Sequence, residues 1–167
     1  MATTGTPPVT IRPAVIADLQ TIGRLGALLV RIHHDFDAER FIPATPQTEH
    51  GYAAFLGSQL DEPEVIVLAA ECDREVVGYA YAGVEGRDYM SLRGPAGVIY
   101  DIVVDPSHRG EGIGGGLLAA TMKALKTRRV PQVVLSTAEQ NPAAQRLFVR
   151  AGFRPTMIEM TRELGDK

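Results

Sequence analysis

The sequence predicts an α/β chain of the α+β kind, rich in strand, with about six strands and about four helices. Three observations carry this. Two β-branched runs, Glu64 to Glu71 and Glu75 to Val84, flank the turn Asp73-Arg74 and read as an antiparallel hairpin. A third run, Gly97 to Asp105, ends at Pro106 and feeds a glycine-dense junction that opens a helix. Helical apolar stripes lie before the hairpin and after the glycines, so strands and helices do not alternate as regular βαβ units.

The elements follow in order. Val9 to Arg12 is a short strand stopped by Pro13. A helix starts near Ala17, where Ile22, Leu25, Leu29 and Ile32 recur at helical spacing. Phe41 to Gln47 holds two prolines and reads as loop, and Thr48 to Leu60 as a second helix. After the hairpin, Glu85 to Gly97 is a polar loop long enough to carry function. Leu118, Met122 and Leu125 stripe the third helix, which ends on Lys126, Arg128 and Arg129, cations that suit the helix dipole. Gln132 to Ser136 is a strand. Asn141-Pro142 is an N-cap followed by proline at the first helical position. Ala144, Leu147, Phe148 and Ala151 stripe that fourth helix, Gly152 stops it, and Met157 to Thr161 is a last strand.

A length of 167 residues corresponds to about one domain. With 45% hydrophobic and 22% charged residues the chain is an ordinary globular protein, not a fibrous or disordered one. Its net charge of -3 argues against a nucleic-acid partner. One cysteine excludes an intrachain disulfide and a Cys-rich zinc site, which fits a cytoplasmic location. The longest apolar run, Val65 to Ala70, is too short to span a membrane. The Thr- and Pro-rich residues 1–8 lack the basic and apolar regions of a secretory signal and read as a frayed tail.

The junction is the most informative segment. Five of the seven residues from Gly110 to Gly116 are glycine, and Arg109 stands at their edge. A helix's first turn leaves unpaired N–H groups and carries partial positive charge, and glycine lets a ligand approach the backbone. Together these make a phosphate cradle. Gly110, Gly112 and Gly115 also satisfy the dinucleotide pattern G-x-G-x-x-G, with Glu139 near the spacing of a ribose-binding acid. Against a dinucleotide, a hairpin precedes the loop and only 28 residues follow Glu139. A nucleoside-triphosphate loop would need Gly-Lys-Ser/Thr, which is absent.

Asp101 to Gly114 resembles the acyl-CoA-binding motif of the GNAT superfamily of N-acetyltransferases. That motif, Arg/Gln-x-x-Gly-x-Gly/Ala after a strand ending in Val-x-Pro, is matched by Arg109, Gly112 and Gly114. A second family motif is matched by Asn141, Ala144, Leu147 and Gly152-Phe153, and Ile11 to Asp18 is similar to the usual start of such domains. The resemblance implies a mixed, mostly antiparallel central sheet and a single N-acetyltransferase domain over residues 9–167. It implies acetyl-CoA as co-substrate, with no metal, and direct attack by a primary amine of a small molecule or of a peptide or protein in a ternary complex. The CoA diphosphate would rest on the backbone of Arg109, Gly110, Glu111, Gly112, Ile113, Gly114 and Gly115. The pantetheine arm would pair with Ile102, Val103 and Val104, and Asn141 would contact the cofactor besides capping its helix. The implied assembly is a monomer or homodimer.

An amine like that of lysine has a pKa near 10.4, so presenting it neutral at pH 7 costs about 4–5 kcal/mol and a base helps. The family's acidic strand residue falls on Asp101. Strict alternation places Ile99, Asp101 and Val103 on one face, so Asp101 interrupts an apolar row, where burial would raise its pKa. Tyr100 then points to the other face, into the core. One departure stands out. The family's general acid is a tyrosine where this chain has Phe148, which cannot protonate a thiolate. Tyr79, Tyr81 and Tyr89 are alternative donors, and a CoA-binding regulatory or scaffold module without catalysis is the alternative function. The acceptor side is expected from the early helices and the Glu85–Gly97 loop, with Asp35, Asp37 and Glu39 either a solvated helix end or an attraction for cationic amines. Adjacent His33 and His34 diverge by about 100° on a helix and do not share a metal, which leaves a surface or substrate-side role. Cys72 reads as a structural thiol.

Overall fold

A computed structural model of the chain describes residues 8–165. The expected tail, residues 1–8, lies outside them apart from Pro8. Five strands form one sheet in sequence order: β1 (Thr10–Pro13), β2 (Val65–Cys72), β3 (Glu75–Glu85), β4 (Ala96–Val104) and β5 (Val133–Leu135). All neighbours are antiparallel except β4 and β5, which are parallel. Four α-helices accompany it: α1 (Leu19–Phe36), α2 (Thr48–Gln59), α3 (Ile113–Thr127) and α4 (Pro142–Arg150). The mixed, mostly antiparallel sheet and the four helices are as expected.

The β2–β3 hairpin closes on Asp73 and Arg74, both with positive φ (49° and 68°). Two left-handed residues in a two-residue loop match the right-handed twist of the flanking strands. Arg12 locks β1 in place. Its guanidinium donates to Asp18 ahead of α1 and to Glu71 on β2, each at 2.7 Å.

The sheet is covered on both faces. On one, Ile22 and Leu25 of α1 and Leu56 of α2 pack with Val67, Tyr79 and Val103. On the other, Ile113 and Leu117 of α3 meet Ala80, while Leu118 and Leu125 meet Ala82 and Ile99. Leu147 and Phe148 of α4 join this second layer. Small residues bring α1 and α2 together. A Cβ on Gly23 would lie 2.4 Å from the Glu49 carbonyl oxygen, and one on Gly26 would lie 2.2 Å from the Tyr52 ring. Among the described residues no helix is long and apolar enough to cross a membrane.

The expected strand at Met157 to Thr161 does not form. Met157, Ile158 and Met160 are 79%, 86% and 89% exposed in an irregular segment. Alternating apolar residues make a strand only when a partner edge receives their backbone groups, and the neighbouring edge, β5, is three residues long. The sheet therefore has five strands among the described residues.

Candidate active site

β4 is the spine of the site. β5 pairs with it only over Gly97 to Ile99. From Tyr100 to Val104, β4 keeps β3 on one side and, among the described residues, has no strand on the other. The open edge leads from a cleft to the glycine loop. The cleft, about 300 Å³, is walled by Leu29, Val30 and His33 of α1, Phe41 and Ile42 after it, and Tyr52 of α2. Across from them stand Tyr100, Asp101 and Ile102 of β4, Ser136 and Thr137 after β5, and Asn141, Ala144 and Phe148 around α4.

A β-bulge decides which β4 side chains enter the cleft. Tyr81 lies opposite Asp101, but the next residue, Ala82, lies opposite Ile99, so Tyr100 is the extra residue. Strict alternation fails there. Ile99 joins Ala82 and Leu118 in the α3 layer instead of sharing a face with Asp101. Tyr100 is 41% exposed rather than core, and its ring stacks on Tyr81, with centroids 4.7 Å apart. Tyr100 and Asp101 are thus neighbours at the cleft wall.

Asp101 is half-buried and accepts a hydrogen bond from the Tyr79 hydroxyl at 2.9 Å. Burial pushes its carboxyl above the ordinary carboxylate range; the Tyr79 bond and the nearby His33 oppose this. Tyr79 is fully buried, and burial beside Asp101 holds its phenol far above the ordinary value. Tyr79 therefore donates to the carboxylate and is unsuited to ionise. Tyr52, also raised by burial, to about 12, keeps its proton as well.

His33 and Tyr52 are cleft residues that no motif revealed. His33 lines the cleft. Its Nδ1 lies 2.9 Å from the Leu29 carbonyl oxygen, which can only accept, so Nδ1 carries the proton. The ring also meets Phe36 and Phe41 edge-on. Nε2 is left as the other polar atom. Gly23 and Gly26 signal a close approach on α1, yet nothing local says that the approaching ring is Tyr52.

Around the glycine loop, Gly110 and Gly112 have φ of 82° and 81°, a conformation that a side chain rarely adopts, and open space surrounds both Cβ positions. Gly112 is the N-cap of α3 and supplies no side-chain cap, so the N–H groups of Ile113, Gly114 and Gly115 project from the helix end. Arg109 and Glu111 are exposed, Glu111 facing His108 at 3.2 Å. Val103 is buried on the α1–α2 side of β4, whereas Ile102 and Val104 pack toward α3. This end can take an anion on its backbone, and the β4 edge can receive an extended amide chain.

Asn141 caps α4, its Oδ1 accepting from the Ala144 N–H at 3.1 Å, and also lines the cleft. Phe148 is half-buried, edge-on to Phe153, and reaches the cleft with a ring that has no proton to give. Residues of the Glu85–Gly97 loop do not line this cleft. The loop closes on itself through Asp88 and Arg93. The carboxylate of Asp37 is taken up by the backbone of Glu39 and Arg40 at 3.1 Å. Asp35 and Glu39 are exposed and off the cleft. Cys72 is buried with Ala70 and Val77, away from it.

Residues 29–153 match the Acetyltransferase (GNAT) family. The chain is 41% identical over 80 residues to a mycothiol acetyltransferase of Thermobispora bispora, covering 48% of this chain and 25% of that protein. It thus spans about a quarter of the length of that relative. It is 31% identical over 166 residues to a phosphinothricin N-acetyltransferase of Streptomyces coelicolor, covering 98% of this chain and 91% of that protein. Its fold matches an aminoglycoside N-acetyltransferase solved in complex with CoA, with a TM-score of 0.72 at 18% identity, covering 99% and 100% of the two chains.

Proposed function

For this chain, which belongs to the GNAT family of acetyltransferases, we propose acetyl transfer from acetyl-CoA to a primary amine within a single domain, residues 9–167. One observation carries the reading. The glycine end of α3, which has no side-chain cap, follows the stretch of β4 that is open on its β5 side, and that stretch carries Asp101 at the wall of the cleft.

The residues fit the co-substrate. The N–H groups from Gly110 to Gly115 receive the diphosphate, which the helix dipole favours, while that of Arg109 is already turned to the Pro106 carbonyl oxygen at 3.4 Å. The backbone of Ile102, Val103 and Val104 receives the amide arm as an added strand. Asn141 adds a polar contact near the cleft. The acetyl thioester then reaches Asp101. The amine nitrogen attacks the thioester carbonyl, the C–N bond forms, the C–S bond breaks, and the thiolate carries the electron pair away. Asp101, raised toward neutrality by burial, takes the amine proton directly or through water. Phe148 gives no proton. A thiol of pKa near 8.5 leaves as thiolate and is protonated by solvent.

The test is calorimetry with acetyl-CoA, CoA and NAD, followed by thiol release on an amine panel that includes phosphinothricin, an aminoglycoside and peptide N-termini. Acetyl-CoA binds, NAD does not, and thiol is released with at least one amine. Gly114→Val abolishes acetyl-CoA binding while circular dichroism stays native, because Gly114 lies within α3 without a positive φ and its Cβ meets Leu147 and Val104 only at the ordinary contact distances of 3.6 and 3.8 Å. Binding without release on any amine would leave a CoA-binding module; NAD binding would reject the loop assignment.

A further inference from the structure

We propose that the acceptor is a primary amine with an aromatic or bulky apolar body and no carboxylate, held by Tyr100 beside Asp101. The proposal rests on the acetyl-transfer reading and narrows its substrate.

The bulge in β4 sets an aromatic ring next to a carboxylate on the same wall. Tyr100 is braced as a platform. One ring face lies on Tyr81, which itself meets Phe55 edge-on at 5.8 Å, and its hydroxyl donates to Glu85 at 2.6 Å. The hydroxyl is thereby committed, and the ring remains for contact with a ligand. An ammonium or amine at Asp101 puts the attached body against that ring, facing Leu29, Ile42 and Tyr52 across the cleft.

The charges point the same way. Among the described residues lining the cleft, Asp101 is the one carboxylate, and none is Lys or Arg. The nearby arginines are engaged. Arg40 pairs with Glu159 and lies over the Phe41 ring, and Arg93 pairs with Glu85 at 2.5 Å. A carboxylate on the acceptor would meet no cation among the lining side chains, only neutral donors such as Ser136, Thr137 and Asn141 and the ring of His33, and would face Asp101. A polycation would meet a single anion, with no second carboxylate among the described lining residues.

Thiol-release kinetics with acetyl-CoA on matched amines decides the matter. Phenethylamine is compared with phenylalanine, which adds a carboxylate, with ethylamine, which lacks the ring, and with spermidine. Phenethylamine exceeds each in kcat/KM by about tenfold or more, the scale of discrimination expected from an apolar contact or an unmet charge. Tyr100→Ala lowers kcat/KM for phenethylamine about tenfold, mainly through KM, and changes ethylamine by less than about threefold; Tyr100→Phe retains the preference. Circular dichroism and acetyl-CoA affinity confirm that both variants are folded and loaded. Phenylalanine or spermidine as the better substrate overturns the proposal and leaves acetyl transfer standing, as does an equal loss on phenethylamine and ethylamine in Tyr100→Ala. No release with any amine overturns both.

Discussion

Removing the Tyr79 hydroxyl tests the proton path at its narrowest point. The phenol oxygen lies 2.9 Å from Asp101 Oδ2, and Tyr79 is wholly buried, so water does not readily replace it. The bond favours the ionised carboxylate, while burial favours the protonated one. A hydrogen bond to a charged group is worth about 1.5–3 kcal/mol, and each 1.36 kcal/mol is a factor of ten in a proton equilibrium. In Tyr79→Phe the carboxylate ionises less readily. On the acidic limb, kcat/KM falls about tenfold to a hundredfold, whereas the alkaline plateau holds. The assay is thiol release as a function of pH for wild type, Tyr79→Phe and Asp101→Asn. Asp101→Asn is slow at every pH. It is no less stable than wild type at pH 7–8, because a carboxyl with a raised folded-state pKa contributes stability only at low pH and loses it as pH rises through that value. An unchanged acidic limb in Tyr79→Phe, or wild-type turnover in Asp101→Asn, would refute Asp101 as the base.

Two further outcomes concern the frame. Asp18 is 6% exposed and its carboxyl is held low, first by the hydrogen bond from Arg12, so its stabilisation exists at neutral pH and disappears as pH falls through its folded-state value. Asp18→Asn costs about 2 kcal/mol at pH 7, below the full buried-pair figure because Arg12 keeps Glu71, and the penalty seen in urea titrations shrinks in acid. Phe148 is half-buried, so Phe148→Ala costs about 2 kcal/mol rather than the 3–5 kcal/mol of a fully buried ring, a fall in Tm of about 4–8 °C. Phe148→Tyr turns over at a rate close to wild type, since solvent protonates the thiolate in both; a gain beyond about a hundredfold would show that a missing general acid limits the reaction.

What the sequence determined by itself is local. The Asp73-Arg74 hairpin, the glycine opening of α3 and the Asn141-Pro142 cap of α4 were legible because each depends on a few adjacent residues with special dihedrals or capping groups. Three of the four helices followed from apolar periodicity, the strands of the hairpin from β-branched runs around a turn, and the family from two motifs at fixed spacing. Tertiary structure decided the rest. The sixth strand failed because a strand needs a partner edge, a property of the sheet and not of Met157 to Thr161. The cleft gathers Tyr52 and His33 from helices distant in sequence from Asp101, and the close approach of α1 and α2 at Gly23 and Gly26, with both helices packed on the sheet, brings them there. Tyr100 and Asp101 share a wall because one unpaired residue opposite Tyr81 and Ala82 breaks the period of two. That break belongs to the pairing of two strands, so neither strand's sequence alone could announce it.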